Sequence, residues 1–108
     1  MIHHVQKEKL KNNWGDKANS MACFVETRVY DPLSSWECYI YALNPIDEDQ
    51  ILCIINGLTV EVTDWTMKEL FALFNEHGDP PRVDVEFKPR RASEIFKQLN
   101  DKRVSYGY

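Results

Sequence analysis

Between Ser34 and Phe74 the chain passes through two strand patterns, an Asn-Gly dipeptide, a third alternating run and an amphipathic helix pattern, with only short breaks between them. No other stretch restricts the fold as much. Trp36 to Leu43 alternates as a strand, with Trp36, Cys38, Ile40 and Ala42 on one face and Glu37, Tyr39, Tyr41 and Leu43 on the other. Asn44-Pro45 closes it, and the acidic loop Asp47-Glu48-Asp49 leads into Ile51-Leu52-Cys53-Ile54-Ile55, a continuous apolar run suited to a strand buried on both sides. Asn56-Gly57 predicts a two-residue type I′ hairpin, because both central residues of that turn need positive φ and these two tolerate it best. Leu58, Val60 and Val62 then alternate with Thr59, Glu61 and Thr63 as a return strand. Thr66 followed by Glu69 fits a capping box, and Met67, Leu70, Phe71 and Phe74 form one helical stripe that Gly78 and Pro80-Pro81 bring to an end.

The flanking segments read less sharply. Met21 to Asp31 predicts one strand, with Met21, Cys23, Val25, Thr27 and Val29 on one face and Ala22, Phe24, Glu26, Arg28 and Tyr30 opposite. Arg82 to Phe87 predicts a last strand. Beyond Lys88-Pro89, Ala92, Ile95, Phe96 and Leu99 repeat at helical spacing. Residues 1–20 hold few sizeable apolar groups and read as a flexible or weakly helical arm, 21–103 as one compact domain and 104–108 as a loose tail. A chain of 108 residues, 44% of them hydrophobic, is enough for a single core. The expectation is α+β: an antiparallel or mixed sheet of about five strands with one or two helices packed on one face.

No run approaches the roughly 18 apolar residues that cross a bilayer, and the first residues lack the apolar block of a secretory signal. The chain reads as soluble and cytoplasmic, with no membrane partner. Cys23, Cys38 and Cys53 are odd in number and lack CxxC spacing, so they read as buried free thiols in a reducing compartment.

From Val29 to Leu99 the order of landmarks resembles the uncharacterised family catalogued as domain of unknown function 2958, small proteins frequent on plasmids and phages. The matching residues are Val29-Tyr30-Asp31-Pro32, Ser34-Ser35-Trp36 with Tyr39 following, Asn44-Pro45 to Asp49, Asn56-Gly57, the Thr66 to Leu70 helix start and Phe87-Lys88-Pro89. Asp64-Trp65 stands where the family pattern has Gly-Tyr, and Val83-Asp84 where it has Arg-Asp. The resemblance implies a compact domain of mobile-element origin and assigns no catalytic residue.

Chemistry-bearing constellations are sparse. His3, His4 and His77 with three dispersed cysteines lack the close ligand pairs of a zinc site, and Asp47-Glu48-Asp49 lacks the spacing and distal Glu of a calcium loop. Neither a metal nor a cofactor is expected. Asp84 and Glu86 alternate with Arg82 in a pattern that more often marks the wet side of a sheet than an acid and base pair. There is no GxSxG elbow, and Gly57, Gly78 and Gly107 are too scattered to cradle phosphate. A non-enzymatic protein is the expectation, with a small carboxylate-dependent enzyme as the remote alternative.

Charge gives the remaining signal. Between Arg28 and Lys68 the chain carries Asp31, Glu37, Asp47, Glu48, Asp49, Glu61 and Asp64 and no Lys or Arg. Such a field repels phosphate and attracts bases. The leading expectation is therefore docking onto a basic surface of a host protein through Glu37, Tyr39, Tyr41, Asp47, Glu48, Asp49, Glu61, Asp64 and Trp65, as an inhibitor of nucleic-acid-handling machinery of anti-restriction or anti-CRISPR type. Core packing is the competing reading for Tyr39 and Tyr41. The alternative function is nucleic-acid binding through Lys88, Arg90, Arg91 and Lys97, part of the only basic block. The sequence leaves oligomeric state open.

Overall fold

The computed structural model describes residues 4–75 and 81–105. Two short helices, α1 (His4–Asn13) and α2 (Asp16–Ser20), precede strands β1 (Phe24–Val25), β2 (Thr27–Tyr30), β3 (Glu37–Leu43), β4 (Gln50–Asn56) and β5 (Val60–Thr66). Helix α3 (Met67–Asn75), strands β6 (Arg82–Val83) and β7 (Arg90–Arg91), and helix α4 (Ala92–Ser105) complete the order. The fold is α+β. Five strands form an antiparallel sheet in the order β5-β4-β3-β2-β6, and β1 and β7 pair separately as a two-stranded ribbon. The expected helix stop at Gly78, the histidines His3 and His77, and residues 106–108 lie outside the described residues, as does the Phe74 side chain. Helix α4 continues through Val104 and Ser105.

The sheet is covered on both faces, so its helices are shared between two layers rather than confined to one. Leu10 of α1 and Leu70 of α3 pack on Val29, Cys38, Ile40, Leu43, Ile51 and Cys53. On the other face, Ala18 of α2 and Ala92, Ile95 and Leu99 of α4 pack on Val25, Tyr41, Ala42 and Ile54. Each fully buried Leu or Ile here contributes roughly 1.5–3 kcal/mol relative to exposure. The apolar run of β4 explains the arrangement: Ile51, Cys53 and Ile55 serve one face while Ile54 serves the other. The three cysteines are buried thiols. Burial, reinforced by the neighbouring Cys53 thiol, pushes the Cys38 thiol well above its ordinary value.

Two defects in the strands revise the face assignments. The pairing of β3 with β4 slips between Ile40 and Ala42, a β-bulge in which Tyr41 is the extra residue. Tyr41 and Ala42 therefore both enter the α2/α4 layer, and Leu43 returns to the layer of Cys38 and Ile40. The expected single strand from Met21 to Asp31 is likewise broken at Glu26. Val25 belongs to one layer and Val29 to the other. The backbone N–H of Glu26 still reaches the Ile40 carbonyl at 3.3 Å.

Helix α1 seals these defects. The Asn13 amide donates to the carbonyls of Tyr41 (2.9 Å) and Phe24 (3.1 Å), and the Gln6 amide donates to that of Glu26 (3.1 Å). These side chains satisfy backbone acceptors that an unbroken ladder would have paired. Lys9 Nζ stands 3.7 Å from the carboxylate of Glu26, which is 7% exposed. The sequence expectation of a weak helix missed this role because Leu10 is the helix's only fully buried apolar residue. Helix α4 is positioned by the ribbon: its first N–H groups, of Ala92 and Ser93, donate to the carbonyls of Cys23 (2.9 Å) and Met21 (3.0 Å).

The β4–β5 connection is not the expected two-residue turn. Asn56 pairs directly with Val60, leaving Gly57, Leu58 and Thr59 as a three-residue loop, and neither Asn56 nor Gly57 takes positive φ. Glycine is required at 57 for space instead. A Cβ there would stand 2.5–2.7 Å from three ring carbons of Trp36. The last strand is also shorter than expected. After Arg82 and Val83 pair with Tyr30 and Val29, Asp84 accepts the Glu86 N–H at 3.1 Å and turns the chain, leaving Val85 exposed and Phe87 against the α2/α4 layer.

Candidate functional site

The acids between Arg28 and Lys68 fall into two groups once folded. Three are buried or paired with a base. Asp31, only 2% exposed, organises the β2–β3 loop: one carboxylate oxygen accepts the Leu33 N–H (2.9 Å) and the other the Ser34 hydroxyl (3.0 Å). Glu48 pairs with Lys11 of α1 at 2.5 Å. This contact raises the Lys11 pKa, with the hydrogen bond to Glu48 as the largest cause.

Glu37 is the centre of a half-buried polar cluster. Its Oε1 accepts from Arg28 Nε (2.8 Å) and the Tyr39 hydroxyl (2.5 Å), and its Oε2 accepts from the Asn56 amide (2.7 Å). Arg28 also donates to Asp84 Oδ2 (3.0 Å), and its guanidinium lies 4.9 Å from the centre of the Tyr30 ring. The strand register dictates this meeting, because Arg28 pairs with Tyr39, Tyr30 with Glu37 and Glu37 with Asn56. Burial alone would raise the Glu37 carboxyl, but hydrogen bonds from Tyr39, Arg28 and Asn56 outweigh it and hold the group below its ordinary value. Burial, followed by the bond to Glu37, pushes the Tyr39 phenol up to about 12.

The cluster also accounts for Asp84, the acid considered for catalysis. One of its oxygens bonds Arg28 and the other receives the Glu86 N–H, while Glu86 is exposed. Among the described residues, no group of three or more His, Cys, Asp and Glu is placed to hold a metal ion.

The second group comprises Asp47, Asp49, Glu61 and Asp64, all exposed and, among the described residues, without an ion pair. Glu61 and Asp64 lie on β5, one of the two edge strands of the sheet. Asp47 and Asp49 lie in the loop that meets the end of that strand. Gln50 pairs with Thr66, and the Met67 N–H donates to the Asp49 carbonyl at 2.7 Å. Thr66 caps α3 as expected, its hydroxyl accepting the Glu69 N–H at 2.9 Å.

Two recesses flank β5. Between α2 and the sheet lies a groove of about 650 Å³ with Trp14, Met21, Tyr41, Leu52, Val62 and Asp64 in its walls. On the opposite face, Trp36, Ile55, Leu58, Glu61 and Trp65 border a recess of about 180 Å³. Val62, paired with Ile54, is 43% exposed because neither α2 nor α4 covers it completely.

The expected docking residues are thus divided. Asp47, Asp49, Glu61, Asp64 and Trp65 gather along the β5 margin, whereas Glu37 and Glu48 are neutralised by Arg28 and Lys11. Tyr41 is core, 2% exposed, with its phenol pushed up to about 12 by burial. Tyr39 is committed to Glu37 and to a tilted contact with Phe87, ring centres 5.9 Å apart. Trp14, Met21 and Trp36 line these recesses without having been among the expected docking residues, and for the two tryptophans the general enrichment of Trp at contact surfaces was the available signal.

In the basic block, Arg90 donates to Gln98, the Arg91 guanidinium lies 5.7 Å from the Phe24 ring centre, and Lys88 and Lys97 are exposed. Comparison with protein-family models, with curated proteins and with solved structures finds no match for the chain. No helix among the described residues is long and apolar enough to cross a membrane.

Proposed function

We propose that the protein is a non-enzymatic interaction module that docks on a positively charged partner through the β5 margin. The observation that carries this reading is the separation of the acids: Asp31 is buried and Glu37 and Glu48 meet Arg28 and Lys11, while Asp47, Asp49, Glu61 and Asp64 are exposed and, among the described residues, without an ion pair. Lys68, at the start of α3, is the only Lys or Arg between Arg28 and Arg82. Exposed carboxylates beside partly exposed tryptophans suit a basic surface, because charge steers encounter and the aromatic groups supply contact area. The narrower form of the proposal is an inhibitor from a phage or other mobile element that occupies the basic surface a nucleic-acid-handling machine presents to its substrate.

The test uses affinity capture from nuclease-treated bacterial lysate, with the wild-type chain beside a variant carrying Asp47→Asn, Asp49→Asn, Glu61→Gln and Asp64→Asn. A stoichiometric protein retained by the wild type, released by salt and lost with the variant supports the reading. Equal retention by the variant refutes it. Capture that disappears with nuclease and requires Arg90, Arg91 and Lys97 points instead to nucleic-acid binding.

A further inference from the structure

We infer that the partner's contact segment is an extended basic peptide that adds to the sheet as a sixth strand along β5; this inference rests on the docking reading above. β5 pairs with β4 over its whole length, from Val60 to Thr66, and among the described residues it has no strand on its outer side. Alternate residues of such an edge direct backbone N–H and C=O groups outward, where an incoming strand completes the ladder. The edge is long enough to be recognised: seven residues in continuous antiparallel register.

The two recesses give the docked strand its side-chain preferences. Side chains alternate between sheet faces, so successive residues of the peptide lie over the Trp14, Met21 and Val62 groove and then over the Trp36, Leu58 and Trp65 recess. Each recess combines apolar side chains with polar ones and one carboxylate, Asp64 in the first and Glu61 in the second. Lys and Arg match that chemistry, with their alkyl stems along the apolar side chains and their charged heads at the carboxylate.

Spacing supplies a sharper criterion. Glu61 and Asp64 are three positions apart and therefore on opposite faces, so their cross-strand partners are also three positions apart: basic-x-x-basic. A basic-x-basic segment places both cations on one face and leaves one carboxylate unmatched. A second copy of this chain is a poorer occupant, because pairing β5 with itself gathers two sets of carboxylates without a cation.

Three fluorescent peptides of equal length and composition test the inference by anisotropy at low salt. One carries Lys and Arg three positions apart in a Thr/Val background, one carries them two positions apart, and one repeats the first with alternate backbone amides N-methylated. The first is expected to bind about tenfold more tightly than either of the others, the scale of one or two lost cross-strand pairs or ladder bonds. Glu61→Gln with Asp64→Asn should reduce its binding to the level of the second peptide. Equal binding of all three, sensitive to the acidic substitutions, overturns strand addition while leaving charge-based docking intact. No peptide binding alongside a lysate partner that depends on the same acids also overturns strand addition alone. If neither peptides nor partner depend on those acids, both readings fall. Concentration-dependent dimerisation abolished by Val62→Lys overturns the inference in favour of a second copy.

Discussion

Glu37 and Asp64 carry the same charge on strands of one sheet with β4 between them, yet they have opposite relations to the fold. Glu37 receives hydrogen bonds from Arg28, Tyr39 and Asn56, whereas Asp64 stands exposed at the sheet edge without an ion pair among the described residues. A run of acids in a sequence is therefore not a surface property in itself. Register decides which of them meet bases: Arg28 is one residue outside the acid-rich segment, and antiparallel pairing of β2 with β3 brings it to Glu37. Among the described residues, no base-bearing strand flanks β5 on its outer side.

The largest expected effect breaks the neutralised side of this comparison. Glu37→Ala leaves the Arg28 guanidinium and the Asn56 amide short of an acceptor and should cost about 2–3 kcal/mol, because a half-buried charge loses its partner. Urea denaturation measures it beside Asp64→Ala, for which a change within about 0.5 kcal/mol is expected. Similar costs at the two positions would mean that the fold does not distinguish the two acids.

Gly57→Ala probes the open margin without altering charge. The added methyl group meets the Trp36 ring, so a loss of about 1–3 kcal/mol is expected together with a changed tryptophan emission spectrum. An unaltered spectrum would mean that Trp36 does not press on the loop.

Protonation tests the same contrast more gently. The Glu37 pKa is lowered in the folded state, so its contribution is present above the ordinary carboxylate range and disappears as pH falls through the folded value. The stability difference between wild type and Glu37→Gln should therefore shrink on acidification. Tyr39 and Tyr41 behave oppositely. With phenols at about 12 in the fold against about 10 when unfolded, stability should fall as pH rises from about 10 towards 12. An absorbance titration should show two late phenols, reduced to one in Tyr39→Phe.

The smallest expected change in stability belongs to Glu61→Gln with Asp64→Asn, which should leave the denaturation midpoint nearly unchanged while flattening the salt dependence of partner capture. Loss of stability comparable to that of Glu37→Ala would place these acids in the fold instead.

Features that the chain states locally were legible in the sequence. The doubly buried β4, the Thr66 cap and the Ala92, Ile95, Phe96 and Leu99 stripe each depend on neighbours within a few residues. Features fixed by distant partners were not. Asn56-Gly57 has strong turn chemistry, but the Trp36 ring gives Gly57 a different reason to be glycine. The break at Glu26 and the bulge at Tyr41 interrupt ordinary alternation, and their carbonyls find Gln6 and Asn13 in a helix with little apolar patterning. Site residues were legible as a composition, while their division into neutralised and exposed acids required the strand register.

The Tyr41 bulge also bears on how the chain can vary in length. A one-residue deletion elsewhere in β3 or within β4 would turn every following side chain of that strand to the wrong layer. At Tyr41 or Ala42, where two consecutive residues serve the same layer, the loss of one restores simple alternation and keeps Leu43 beside Leu10 and Ile51. In sequences descended from a common ancestor with this one, gaps within the central strands should therefore concentrate at these two positions.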